Sequence, residues 1–428
     1  MWFIMEHDVT VPPGTNSAQY LQQQQPKEAP LAGVRVLELG SFVAAPLAAR
    51  MLADFGAEVI KVEPPRKGDE LRSWGTMIPT TTGSISAWWL SQARNKRLIT
   101  LDLHHSTGQE LALKLIEHSA IVIENFRPGR LEAWNLGYER MCSVNRRVVL
   151  VRISGFGQTG PYRERAGYGN VGESMGGIRY VTGFPDRPPV RVGVSLGDAQ
   201  AAQHAVFGAL MALRASERDG CGQVVDVAIT ESVFTLTESM LAEYVHTGIV
   251  RERTGNTMLR AAPSNVYQTR DGYWFAIGGN GDNVFRRLTR VLGQPELFED
   301  ERFHNNLARV AHHDELDAII SAWVAQRKQE EVQRLLDEAG VPAGPVMNIA
   351  DIAADPQFQQ RGMIAEVPDS RMPEGVTVMS GIVPRLTETP GEIMHSGGAL
   401  GAHNRQVYTE LLGISPTELE QLIKEGVV

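Results

Sequence analysis

From residue 34 the chain alternates short apolar strands with amphipathic helices, and no other feature restricts its fold so strongly. "VRVLEL" (34–39) reads as a strand, and "PLAARMLADFG" follows as a helix opening near Pro46 with Gly56 at its end. "EVIKVE" and "RLITLDL" are further strands. The helix "STGQELALKLIEH" comes next, then the strands "AIVIENF" and "RRVVLVRISG", and later the pair "GQVVDVAI" and "TESVFTLTESMLAEYV". Apolar strands separated by helices need parallel crossovers, so the order predicts an α/β fold with a mostly parallel, Rossmann-like sheet. The crossovers should be right-handed, and ligands should gather at the carboxyl ends of the strands.

The texture changes twice. Residues 1–30 combine Gln, Pro and polar residues without periodicity and read as a disordered tail; the first Lys or Arg is Lys27, which argues against a signal or transit peptide. The stretch 246–262 has no sustained pattern and reads as a linker. It separates a large domain beginning at 31–245 from a smaller α+β domain at 263–340, where "VYQTRDGYWFAIGG" is a hairpin turning at Asp271-Gly272. Residues 341–428 then return to the large domain. Their last helix opens on Ser415-Pro-Thr-Glu418, a capping box with proline in the first turn.

Composition removes several function classes. The net charge of −9 lacks the basic footprint of a nucleic-acid binder. Cys142 and Cys221 are the only cysteines, so there is neither a disulfide framework nor a cysteine zinc site, and a cytoplasmic setting is expected. No apolar run reaches the length needed to cross a bilayer, so no membrane partner is expected.

The segment "PVRVGVSLGDAQAAQHAVFGALMAL" carries the chemistry. Asp198 precedes a run from Ala199 to Leu213 whose polar positions are Gln200, Gln203 and His204, which reads as a buried helix. Asp is a preferred N-cap, so one reading is a cap and nothing more. "GVSLG" (193–197) also fits G-x-S-x-G between an apolar "VRVGV" and a helix, which makes Ser195 a serine-hydrolase candidate. Against it, no HGGG-type oxyanion segment lies upstream. The third reading makes Asp198 itself the nucleophile. "GFGQTG" (155–160) matches a dinucleotide fingerprint, but "PYRERAGYGN" follows instead of a helix, so that reading fails. The pairs His104-His105 and His312-His313 point to different sides of any element and read as surface residues; no metal is expected.

Several segments together resemble the class III CoA-transferases, the CaiB/BaiF type that includes formyl-CoA and carnitine CoA-transferases. They are "LAGVRVLELGSFVAAPLAARMLADFGAEVIKVEPPRKGDELR", "NKRLITLDL", "IENFRPGRLEAWNLGYE", "ISGFGQTGPYRERAGY", "GQVVDVAITES", "AGVPAGPV" and "LGAHNRQVYTELLG". The likeness runs in order over about residues 31–428.

The resemblance implies that Asp198 is the nucleophile, exchanging acyl groups through anhydrides and an aspartyl-CoA thioester, with the CoA thioester as substrate and no permanently bound cofactor. A carboxylate at a helix N-terminus would be held ionised by the dipole, by up to about 2 kcal/mol. CoA-contacting positions carry over as Val43, Ala44, Leu101, Asn125, Phe126, Arg127, Arg165 and Tyr168. For the phosphates, Lys96, Arg97 and Arg163 join Arg127 as candidate cations. Two charged positions of the formyl-CoA branch are Pro64 and Ala133 here. That branch's glutamine and glutamate near the nucleophile are replaced by Val43 and Gly169. The loop "GGNGD" (278–282) is a candidate cover for the site.

The family shares its fold with α-methylacyl-CoA racemases, which place a histidine where this chain has Tyr168, and tyrosine is a poor base at neutral pH. "AGYGNVGESMGGIRYVTGFPDRPPVRVG" is most similar to the branch that moves CoA from succinyl-CoA to C4–C5 dicarboxylic acids. A second carboxylate needs a paired cation, and Arg179, Arg191 and Arg72 are the candidates. The resemblance also implies an interlocked homodimer.

Overall fold

The computed structural model describes residues 27–428; most of the tail expected at 1–30 lies outside these residues. The first strands are β1 (Arg35–Glu38), β2 (Glu58–Glu63), β3 (Met77–Thr80), β4 (Gly83–Ser86) and β5 (Lys96–Thr100). β6 (Ile121–Glu124), β7 (Val149–Ser154) and β8 (Val224–Ala228) follow. Six of them form one parallel sheet in the order β5-β2-β1-β6-β7-β8. Strands β6 and β7 are buried at every position, which is why they read as unbroken apolar runs. The strand order reverses direction between β1 and β6, and that reversal is where a doubly wound sheet opens a crevice.

Helices α1 (Ala44–Ala53), α2 (Ser106–Glu117), α3 (Gly169–Met175), α4 (Leu196–Asp219), α5 (Ile229–Phe234) and α6 (Met240–Thr247) belong to this unit. α1 and α4 cover one face through a seam of alanines, including Ala45, Ala48, Ala49, Ala201, Ala205 and Ala209. Small side chains there let both helices sit close to the sheet. The α4 run differs from the buried helix expected. Its alanine face is inside, whereas Leu210, Met211 and Phe207, the last 63% exposed, face out. An apolar run without a period reports apolarity but not direction.

The smaller unit has β9 (Ser264–Gln268), β10 (Trp274–Gly278) and β11 (Ala343–Pro345) as an antiparallel sheet. It packs with helices between 282 and 338 around Phe275, Phe285, Leu288 and Ile320. The Asp271-Gly272 turn is present, with Gly272 at φ 90°. β11 carries this sheet five residues beyond the boundary expected at 340. Two hairpins were not read in the sequence, β3–β4 and the pair β12 (Ile364–Pro368) and β13 (Val376–Ser380). The chain then returns to the open side of β5, where His403 Nδ1 and Asn404 Oδ1 accept from the Leu98 and Thr100 amides at 2.9 and 2.8 Å. Tyr408 Oη donates to the Thr100 carbonyl at 2.7 Å. Ser415 caps the last helix by accepting from the Glu418 amide, with Pro416 in the first turn, which is the cap half of the box expected there. No helix among the described residues is long and apolar enough to cross a membrane.

Candidate active site

A cleft of about 350 Å³ opens at the carboxyl ends of β1, β6, β7 and β8. Its floor begins at the β1–α1 turn. Asn125, just past β6, accepts from the Ser41 amide at 2.9 Å and donates to the Ser41 carbonyl at 2.8 Å. A Cβ at Gly40 would press on that Asn125 side chain at 2.7 Å, so the approach requires glycine. Phe42 holds a left-handed φ of 64°, a strained position for a bulky residue. It is retained by its ring on Trp74, 5.3 Å between centroids, and by its amide on Asp69 at 3.3 Å. Val43 and Ala44 then open α1 on the cleft wall, where the first-turn amides have no helical partner.

A buried charge cluster braces this turn. Lys61 Nζ lies 2.8 Å from Glu38, 2.7 Å from Asp69 and 3.0 Å from the Gly40 carbonyl. Burial opposes its charge, but Glu38 and Asp69 win and hold the ammonium above the usual lysine value. Lys96 is fully buried, 2.7 Å from the same Glu38, and burial pulls it down to about 8. It is therefore part of the brace and out of reach of a phosphate. Arg97 lies at the opposite end of the sheet, 2.7 Å from Glu58, and also does not reach the cleft.

Asp198 stands on the cleft wall, where α3, α4 and α5 converge. It is not the N-cap: that position is Ser195, without a side-chain bond, and Asp198 is the third residue of α4. Nor does Val190–Val194 form the strand that a nucleophile elbow needs before Ser195. The carboxylate fits against Gly169, the first residue of α3, where any Cβ would overlap Asp198 Oδ2. Gly197 is equally confined, since a Cβ there would lie 2.9 Å from the Gly169 carbonyl.

Behind the carboxylate sits Glu173, 1% exposed, whose Oε1 accepts from the Gly197 amide at 3.1 Å. Burial raises Asp198 to about 6, with the Glu173 charge adding to the rise and Arg191 opposing it. The dipole effect expected from the sequence is outweighed, although most of the group is still ionised at neutral pH. Sequence reading missed Glu173. The spacing Gly169, Gly172, Gly176 was the available signal, since it marks a glycine stripe on which α5 packs closely.

The cleft mouth carries cations. Arg127, Arg163 and Arg165 line it, with Arg165 stacked 3.6 Å from the Tyr162 ring and Arg163 paired to Glu164 at 3.2 Å. Tyr168, 73% exposed, also lines it. A second hollow of about 170 Å³ continues from the first through the shared Ser41, Glu70 and Phe126. Leu101 lies here with Leu103, Pro64, Lys67, His104 and Trp134. His104 packs edge-on against Trp134 at 4.8 Å and lines the hollow, while His105 caps α2 through the Thr107 amide. Both are exposed, as expected of surface residues, and they differ in what they touch.

The remaining candidates separate. Arg72 grips Glu63 through two bonds of 2.6 and 2.8 Å and stacks on Trp89, so its fork is already engaged. Arg179 lies outside the cleft lining, 3.3 Å from Ser174 Oγ. Arg191 is exposed beside the cleft and is the cation whose charge acts on Asp198. The loop 278–282 is held within the small unit, where Arg309 donates to the Asn280 carbonyl and to Asp282, each at 2.8 Å.

Known proteins match this architecture along nearly the whole chain. The succinyl-CoA–D-citramalate CoA-transferase of Chloroflexus aurantiacus is 49% identical, covering 95% of this chain and all of the relative. The alpha subunit of a succinyl-CoA–L-malate CoA-transferase from Chloroflexus aurantiacus is 38% identical over 94% of this chain and 93% of its own. The crystal structure of a CaiB/BaiF family protein from Brucella suis superposes with a TM-score of 0.81 at 35% identity, covering 90% of this chain and all of that one. The family model described as CoA-transferase family III matches residues 31–404, and the chain belongs to that family.

Proposed function

We propose that this CoA-transferase moves CoA from an acyl-CoA, with succinyl-CoA the favoured donor, to a C4–C5 dicarboxylic acid, and that Asp198 is its nucleophile. The observation that carries this reading is the half-buried Asp198 carboxylate on the wall of a cleft whose mouth is lined by three arginines. Arg127, Arg163 and Arg165 suit the CoA phosphates, because guanidinium forks bind phosphate oxygens in pairs. The apolar hollow at Leu101, Phe126 and Trp134 suits the adenine, and Asn125 acts by shaping the Ser41 turn.

The chemistry needs only carboxylates and a thiolate. Asp198 attacks the donor thioester carbon, the C–S bond breaks, and CoA leaves as thiolate, giving a mixed anhydride. The thiolate attacks the Asp198 carbonyl and expels the donor acid, leaving an aspartyl-CoA thioester. The acceptor carboxylate attacks that carbonyl and releases CoA again. The thiolate finally takes the acceptor acyl group and restores Asp198. Exclusion of water protects each intermediate, and partial burial of Asp198 serves that end.

The test is chemical trapping. Enzyme incubated with succinyl-CoA and then hydroxylamine or borohydride should be modified at Asp198, and Asp198→Asn should fold yet lose activity by orders of magnitude. Modification at Ser195 in its place would refute the assignment.

The dicarboxylate assignment draws on the relatives named for citramalate and malate and on Arg191 beside Asp198. A guanidinium fork binds a carboxylate through two hydrogen bonds, so Arg191→Leu should raise the KM for dicarboxylates far more than for acetate or butyrate. A wild-type preference for monocarboxylates would refute it. Association as a homodimer is part of the proposal. It is supported by the outward apolar side chains Phe207 and Met211 on α4 and Tyr244 and Val245 on α6. A cytoplasmic location is proposed from the two free cysteines.

A further inference from the structure

Glu173 is a buried charged group next to the cleft-wall residue Asp198 for which the transfer chemistry above has no use. It projects from α3 into the junction with α4, 1% exposed. One oxygen accepts from the Gly197 amide at 3.1 Å; the other is buried and has no hydrogen-bond partner among the described residues. A buried carboxylate oxygen left without a donor is costly, and a merely structural acceptor for one amide would be served by a neutral side chain. Gly172 and Gly176 bring α5 so close that a Cβ would lie 2.5 Å from Ile229 and 2.7 Å from Val233. The α3–α5 contact therefore leaves Glu173 little room to swing away.

We propose that Glu173 is a positioning residue: it fixes the Gly197–Asp198 turn and keeps a like charge behind the nucleophile. This rests on Asp198 being the nucleophile. In the first step negative charge leaves Asp198 for the CoA sulfur, and the acylated Asp198 is neutral. A second carboxylate behind it destabilises the resting anion more than the acylated state, so the repulsion falls as the C–S bond breaks. The charged groups that act on Asp198 are Glu173 from α3 and Arg191 from the preceding loop, with opposed effects on its ionisation.

The test uses the full-length enzyme and reads the rate of hydroxylamine-sensitive adduct formation at Asp198 from succinyl-CoA across pH 4.5–8. Glu173→Gln keeps an oxygen for the Gly197 amide and removes the charge. Its acid limb should move to lower pH by about half to one unit, while the plateau rate falls roughly three- to tenfold. Glu173→Asp keeps the charge but withdraws it by one methylene, and should move the limb part of the way. Either variant, folded and reacting with the wild-type limb and plateau, overturns the proposal and leaves Glu173 a structural acceptor. Absence of any Asp198 adduct in the wild-type enzyme is a different failure, and refutes the nucleophile itself.

Discussion

Asp198→Asn should stabilise the protein while abolishing its activity, and the gain should depend on pH. Burial lifts the Asp198 carboxyl from 3.8 to about 6, with Glu173 adding to the lift. A raised carboxyl means that the folded protein binds this proton more tightly than the unfolded chain does. Ionising it therefore costs stability. The cost is absent below about pH 4, where both states are protonated, grows as pH rises toward 6, and is complete above that. A lift of about two units corresponds to about 3 kcal/mol, since each unit is about 1.4 kcal/mol. The asparagine carries no charge and escapes the cost. Denaturant midpoints measured for both proteins at one concentration, from pH 4 to pH 8, should coincide near pH 4. They should separate by about 1–3 kcal/mol at pH 8, with the variant the more stable. A variant no more stable than wild type at pH 8, or a gain equal at every pH, would refute the argument.

Gly169→Ala should leave the fold intact but displace the Asp198 carboxylate, because the added Cβ overlaps Oδ2; a loss of activity of about a hundredfold or more, with an unchanged circular dichroism spectrum, is expected. Lys61→Met should destabilise the protein by about 3–5 kcal/mol, as it leaves Glu38 and Asp69 buried with too little positive charge; a thermal melt within a degree of wild type would contradict that reading.

The parallel sheet was legible because fully buried strands such as β6 and β7 leave continuous apolar runs. The helices between them keep a period of their own. The hairpin β3–β4 was not, because "MIPTTTGSIS" has neither an apolar run nor a strong turn pair, and its pairing is decided by contacts elsewhere. Asp198 was found from the family pattern and its place before a helix, but two features of its setting were illegible. Helix α4 starts three residues earlier than a cap at Asp198 would allow. The rise in its pKa comes from burial and secondarily from Glu173, 25 residues away in the chain, neither of which local sequence records. Arg72 shows the reverse: a free-looking arginine in sequence is bound at both prongs by Glu63 once β2 is in place.

The closure of β5 by the returning chain sets a timetable for synthesis. Thr100 hydrogen-bonds to Asn404 and Tyr408, 304 and 308 residues later. Translation at roughly 5–20 residues per second puts about 15–60 s between the two. Through that interval the nascent sheet can be ordered but carries one unsatisfied row of backbone groups, the kind of surface that recruits foreign strands. The parallel order makes this wait unavoidable, since β5 is among the first strands made and its cover among the last segments. Until the last segment arrives, that open edge is the part of the early sheet most exposed to wrong pairing.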